Sequence, residues 1–195
     1  CFVGGINARK NPVLLLEVLH LLSDRGVHPF LLLLGPVKGY DEAYVKEVER
    51  LSNDDLVESF VFFPKRIVSN VDQYMRAADF FVLPTVREGF GAVIIEAMAS
   101  GCIPIVTRLE GITDLQFQHG REGFAIDELS VSRLTTILQQ AMSMEEKSKQ
   151  DMSQRAVSTA TENFSAERID TLVLQALITI TNKGAPFRYQ DRFRR

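Results

Sequence analysis

Short β-branched or aromatic runs alternate with helical-period segments through the first 130 residues, and this alternation limits the fold more than any other feature. Its clearest piece is residues 30–34, five apolar side chains in succession stopped by Gly35-Pro36. A strand wetted on one face alternates polar and apolar residues. An unbroken apolar run belongs to a strand covered on both faces, as in a parallel sheet between two helix layers. The same reading predicts strands at 2–3, 57–63, 80–83, 103–106 and 123–126, with helices over 12–24, 41–52, 71–78 and 92–100. From about Ser130 the pattern is helical, over 130–143, 145–163 and 165–181. The expected fold is α/β, a doubly wound, Rossmann-like parallel sheet carrying C-terminal helices. Residues 1–182 form one lobe and residues 183–195 a basic tail.

Composition agrees with a chain that buries a core. Apolar residues make up 46% and charged residues 24% of the 195, unlike disordered, collagen-like or disulfide-framed chains. Two cysteines, Cys1 and Cys102, point to a reducing, cytoplasmic setting. A net charge of −3 argues against a nucleic-acid partner. The charge is uneven: Lys183, Arg188, Arg192, Arg194 and Arg195 against Asp191 give the tail +4, which leaves −7 for the rest. Such a tail can be solvated, can fold toward another lobe, or can touch anionic lipid at a membrane face. No apolar stretch reaches the ~20 residues of a membrane span. The opening residues, Cys-Phe-Val-Gly-Gly, fall at a strand-to-loop transition, so the chain reads as cut from something longer.

In an open parallel sheet, ligands bind beyond the carboxyl ends of the strands. Three segments of unusual composition fall there. The first holds Gly4, Gly5, Arg9 and Lys10 before Asn11-Pro12, a good N-cap followed by a proline at the first helical position. Paired glycines let backbone approach a ligand. Arg9 and Lys10 sit at the positive end of a helix dipole, where a bound anion would relieve the conflict. Solvated surface cations are the plainer alternative. The second segment runs from Pro84-Thr85 through Glu88, Gly89, Phe90, Gly91 and Ala92 to Glu96 and Gly101. The first amides of its helix form an anion site. Eight residues of helix span ~12 Å, too far for Glu88 and Glu96 to share a proton but suited to gripping hydroxyls at two ends of a polar ligand. The third segment, Phe62-Phe63-Pro64-Lys65-Arg66, ends the 57–63 strand, and a surface cation is the plainer reading of Arg66. His20, His28 and His119 are scattered and the cysteines lie far apart in sequence, so no metal site is expected.

The second segment carries a resemblance. Pro84-Thr85, Glu88-Gly89-Phe90-Gly91, Glu96-Ala97-Met98-Ala99, Gly101 and Pro104 are similar to the E-x7-E signature of retaining glycosyltransferases of the glycogen-synthase and mannosyltransferase type, group 1. Phe2-Val3-Gly4, Lys10-Asn11, Gly35, Ala78-Asp79, Gly123-Phe124 and Asn163-Phe164-Ser165 also have equivalents there, so the match covers about residues 2–180. The resemblance implies the C-terminal, donor-binding lobe of a two-lobe enzyme that moves a hexosyl group from a nucleoside-diphosphate sugar to an acceptor hydroxyl. It implies that Glu88 contacts the donor sugar, that the Gly89–Ala92 backbone binds sugar and diphosphate, and that Glu96 binds the ribose. Lys10 would contact the diphosphate and offset the charge growing on the leaving group. Gly4, Gly5, Arg9 and Arg66 complete the expected donor site. No metal or other cofactor is expected, and the acceptor falls to an N-terminal lobe that this chain lacks.

Two departures stand out. The family usually has an arginine where Gly5 stands and more often a glycine where Pro64 stands. They leave room for a non-catalytic relative that only binds nucleotide sugar. Another two-lobe sugar-nucleotide enzyme, such as an epimerase, is a further alternative. Asp114 stands where the family often has a glutamate, and a capping role is expected for it.

Overall fold

The computed structural model describes the backbone of residues 1–183 and the side chains of residues 1–178. Phe2–Val3 (β1) pairs in parallel with Leu31–Leu34 (β2), and β2 with Val61–Phe62 (β3). Phe80–Leu83 (β4), Ile103–Thr107 (β5) and Phe124–Ile126 (β6) form a second parallel trio with β5 in the middle. The Cys1 backbone joins the trios. Its nitrogen donates to the Phe80 carbonyl, and its carbonyl accepts from the Val82 N–H at 2.8 Å. The strand order is therefore β3-β2-β1-β4-β5-β6, the doubly wound order expected, with the winding reversing between β1 and β4.

Right-handed crossovers that run outward in opposite directions place their helices on opposite faces. Pro12–Asp24 (α1) packs against Glu42–Ser52 (α2) and Val131–Met142 (α6). Ala92–Ala99 (α4) packs against Val71–Arg76 (α3) and Glu146–Phe164 (α7). Between the layers β5 is buried at all five residues, as the apolar pattern of an inner parallel strand requires. Leu16, Leu22, Leu33, Phe81, Leu83, Ile94 and Met98 fill the core beside it. Cys102 lies in that core, its sulfur 3.9 Å from the Cys1 sulfur, both as free thiols.

The C-terminal helices follow the sequence reading. The polar α7 buries only a stripe of small or flexible residues, Met152, Ala156 and Ala160, and its Ser153 hydroxyl donates to the Gly101 carbonyl at 2.6 Å. Gly101 ends the α4 turn at φ 81°, a conformation that favours glycine. Ala166–Lys183 (α8) continues beyond α7. Residues 184–195, which carry most of the basic tail, lie outside the described residues.

Two local expectations need correction. The 57–63 strand is only two residues long, because Asp54 starts a turn that winds the chain through a 3-10 segment, Glu58–Phe60. The Asp54 carboxylate accepts from the Leu56 N–H at 3.1 Å, an Asx turn. Pro64 then removes the next ladder donor. Asn11 does not cap α1 with its side chain. It stands in the left-handed region (φ 54°), which asparagine tolerates, and the Asn7 carboxamide accepts from the Lys10 N–H at 3.0 Å instead.

Candidate functional site

Two loops meet where the winding reverses, one after β1 and one after β4. The first is set by close backbone contact. The Gly4 N–H donates to the Leu34 carbonyl at 3.0 Å, the Ile6 N–H to the Pro36 carbonyl at 3.2 Å, and a Cβ on Gly35 would overlap the Gly4 carbonyl oxygen. The second is laced to the first through one acceptor. The Arg9 carbonyl accepts from the Val86 N–H at 2.8 Å and from the fully buried Thr85 hydroxyl at 3.0 Å. The Thr85 hydroxyl also reaches the Arg87 carbonyl at 3.0 Å, which fixes the turn leading to Glu88.

That lacing brings Lys10 and Glu88 together as an ion pair whose side chains are only 10% and 9% exposed. The Arg9 guanidinium stands 3.6 Å from the same carboxylate oxygen and donates to the Arg87 carbonyl at 3.3 Å. Lys10 is therefore a buried cation paired with a carboxylate, while Arg9, its side chain 46% exposed, stands at the solvent edge of the pair. The sequence does not announce the contact between Lys10 and Glu88; the resemblance gives each a separate part of a ligand, diphosphate for one and sugar for the other.

Gly91 begins α4 at φ 72°, and the first helical amides follow at Ala92. Gln116, in the short helix Thr113–Gln116 (α5), is buried beneath this loop and donates to the Phe90 carbonyl at 2.5 Å. Gly89 and Phe90 are exposed, and the Phe90 ring packs edge-on to Phe164 with centroids 6.5 Å apart. Glu96 is exposed on α4 and, among the described residues, has no ion-pair or hydrogen-bond partner for its carboxylate. A carboxylate exposed on an otherwise apolar helix is available to a ligand.

Not every candidate joins this cluster. Arg66 is exposed in the loop after β3, the edge strand, two strands away from β1. Gly5 lies within the cluster but is not in the left-handed region. Its lack of a side chain has a different cause: a Cβ there would overlap the Tyr40 hydroxyl oxygen and lie 2.9 Å from Cε2 of the same ring. Asp114 does not cap α5, and its nearest charge is Arg108 at 4.0 Å. The histidines have structural partners. His20 faces the Leu16 carbonyl at 2.8 Å, His28 stacks on Phe60, and His119 accepts from the Ala125 N–H at 3.0 Å. Gln116 and Tyr40 are contributors the sequence does not mark, because neither sits in a periodic pattern and their contacts join distant segments; Thr85 falls within the E-x7-E segment, but its hydrogen bonds do not show there.

The family model for glycosyl transferases group 1 matches residues 1–159. The chain belongs to that family. A D-inositol 3-phosphate glycosyltransferase of Pseudarthrobacter chlorophenolicus is 33% identical over 129 residues, 65% of this chain and 30% of that protein. Among solved structures, an Anabaena protein, HepE, in complex with UDP and glucose superposes with a TM-score of 0.77 at 21% identity, covering 91% of this chain and 47% of that one. The C-terminal domain of a glycosyl transferase group 1 protein, LpcC, of Francisella tularensis gives a TM-score of 0.70 at 19% identity, covering 85% of each chain. This chain thus spans about a third of that inositol-phosphate enzyme and about half of HepE. The structural likenesses establish the Rossmann-like fold of a group 1 lobe.

Proposed function

We propose that this chain is the donor-binding, C-terminal lobe of a retaining hexosyltransferase that uses a nucleoside-diphosphate sugar. The observation that carries the reading is the buried Lys10–Glu88 pair at the switch point, beside the first turn of α4. A ligand able to use both groups must present acceptors to an ammonium and hydroxyls to a carboxylate within a few ångströms. A sugar joined to a diphosphate does so. Lys10 takes the diphosphate and offsets the charge that develops on it as the glycosidic bond breaks. The α4 amides share that charge, so the reading calls for no metal. Glu88 accepts from sugar hydroxyls, the Gly89–Ala92 backbone lies along sugar and phosphate, and Glu96 accepts from the ribose hydroxyls. HepE, solved with UDP and glucose, supports a donor of this class.

Gly4 gives the ligand close backbone approach, and Arg9 adds a second cation at the rim. Arg66, exposed in the loop after the edge strand β3, is assigned no ligand contact in this reading. The acceptor hydroxyl falls to the part of its relatives that this chain does not span. Among the described residues no helix is long and apolar enough to cross a membrane. A peripheral contact would fall to the basic residues from Lys183 onward.

Calorimetric titration of Glu88→Gln and Glu96→Ala tests the assignment. Glu96→Ala should weaken free diphosphate and sugar nucleotide alike, by roughly 1–3 kcal/mol for a lost charged hydrogen bond. Glu88→Gln should weaken only the sugar nucleotide, and it should tighten the free diphosphate because Lys10 no longer shares its charge. Equal losses for both ligands in both variants would show the roles to be misassigned.

A further inference from the structure

We infer that Tyr40 is a donor-binding residue of this site, supplying its phenol O–H to the diphosphate across Gly5. The inference rests on the donor-site reading above. Tyr40 stands in the β2–α2 loop, and its backbone is pinned on both sides. Gly39 turns the chain at φ 86°, and Asp41 caps α2 by accepting from the Tyr44 N–H at 2.8 Å. Between these anchors the phenol projects back over the end of β1, so far that any side chain on Gly5 would collide with its hydroxyl.

The hydroxyl has no hydrogen-bond partner among the described residues, and the residue is 37% exposed. A tyrosine held only by core packing would turn its hydroxyl outward to water. This one lays its polar end on the backbone that the ligand must approach. The Lys10 stem passes beside the neighbouring glycine, its Cε 3.7 Å from where a Cβ on Gly4 would stand, so the ammonium stem and the phenol meet the same stretch of backbone. A phenol suits the charge balance of the pocket. Arg9 and Lys10 already face the single carboxylate of Glu88, and a neutral donor adds a hydrogen bond without a further cation.

The test titrates uridine, guanosine and adenosine diphosphates, and the matching nucleosides, into wild type, Tyr40→Phe, Gly5→Ala and the double variant. Thermal melting confirms folding in each. Tyr40→Phe should bind the preferred diphosphate about five- to tenfold more weakly, the scale of one hydrogen bond, and bind the nucleoside as before. No charge is lost, so the dependence of binding on salt should keep its wild-type slope. Gly5→Ala should displace the phenol and show the same loss, and the double variant should lose no more than Gly5→Ala alone. Wild-type diphosphate affinity in Tyr40→Phe, or additive losses in the double variant, overturns the inference and leaves the donor site standing. A wild type without affinity for any of the three diphosphates overturns the donor-site reading and this inference with it.

Discussion

Lys10 and Glu88 lie 78 residues apart in sequence, yet their charged groups meet at the end of β1 in a contact that is about nine-tenths buried. Two charges removed from water must stabilise one another, because the desolvation of each is repaid chiefly by its partner, with Arg9 at 3.6 Å adding to the compensation of Glu88. In the ligand-free chain they hold the β1 and β4 loops in register. On the proposed donor site, these same two groups are the ones a donor engages.

The pair gives a stability signature. Lys10→Met alone should lower unfolding stability by about 1–3 kcal/mol, because the buried Glu88 carboxylate loses its buried partner and keeps only the half-exposed Arg9 guanidinium 3.6 Å away. The double variant Lys10→Met/Glu88→Leu should recover most of that loss. Chemical denaturation of the four members of this cycle measures the coupling. Independent, additive effects would mean that the contact is incidental.

Thr85 is expected to act on binding without touching ligand. Thr85→Val keeps the volume nearly constant and removes the hydrogen bonds to the Arg9 and Arg87 carbonyls. Stability should fall by roughly 1–2 kcal/mol. Diphosphate affinity should fall several-fold because Lys10 and Glu88 lose their shared frame. Unchanged melting and unchanged affinity would remove Thr85 from the account.

These contacts also mark how far the sequence could be read. The alternation of apolar runs and helical periods located the six strands of the described residues, most sharply the inner ones, because a buried parallel strand has no polar face to confuse the pattern. The E-x7-E segment located Glu88 and Glu96 because its two glycines and two carboxylates are close in the chain. The Lys10–Glu88 contact was not legible, since it depends on how two loops are laced through the Arg9 carbonyl. Tyr40 was hidden for a related reason. Its position follows from a turn at Gly39 and a cap at Asp41, and only the absent side chain at Gly5 hints at it. The shortened β3 reflects an Asx turn at Asp54, which overrode the strand preference of the residues after it.

Cys102 gives the alkaline limb of stability. Burial pushes its thiol from 9.0 up to about 12. The unfolded chain therefore loses this proton above about pH 9 while the folded chain keeps it. The stabilisation is intact below pH 9 and declines as pH rises toward 12, with a slope that approaches ~1.4 kcal/mol per pH unit. Melting temperatures of wild type and Cys102→Ala, compared from pH 8 to pH 10, should converge as pH rises. Parallel profiles would show that the thiol titrates alike in both states.

Gly5→Arg addresses the departure from the family pattern. The new side chain can leave the backbone only by displacing the Tyr40 ring. Alone it should leave diphosphate affinity within about threefold of wild type, one hydrogen bond gained against one lost. Combined with Tyr40→Ser, which clears the space, it should tighten binding about tenfold at low salt and less at high salt. Tighter binding by Gly5→Arg alone would show that the tyrosine does not compete for that space.

The most direct measurement is calorimetric titration of uridine, guanosine and adenosine diphosphates into the wild-type chain and Lys10→Ala. The account expects one of the three to bind wild type with one-to-one stoichiometry. It expects Lys10→Ala, shown to be folded by its melting curve, to lose at least about tenfold of that affinity, the loss of one charge-assisted contact. Binding that is indifferent to Lys10, or no binding of any diphosphate to the folded wild type, would contradict the placement of the donor between β1 and β4.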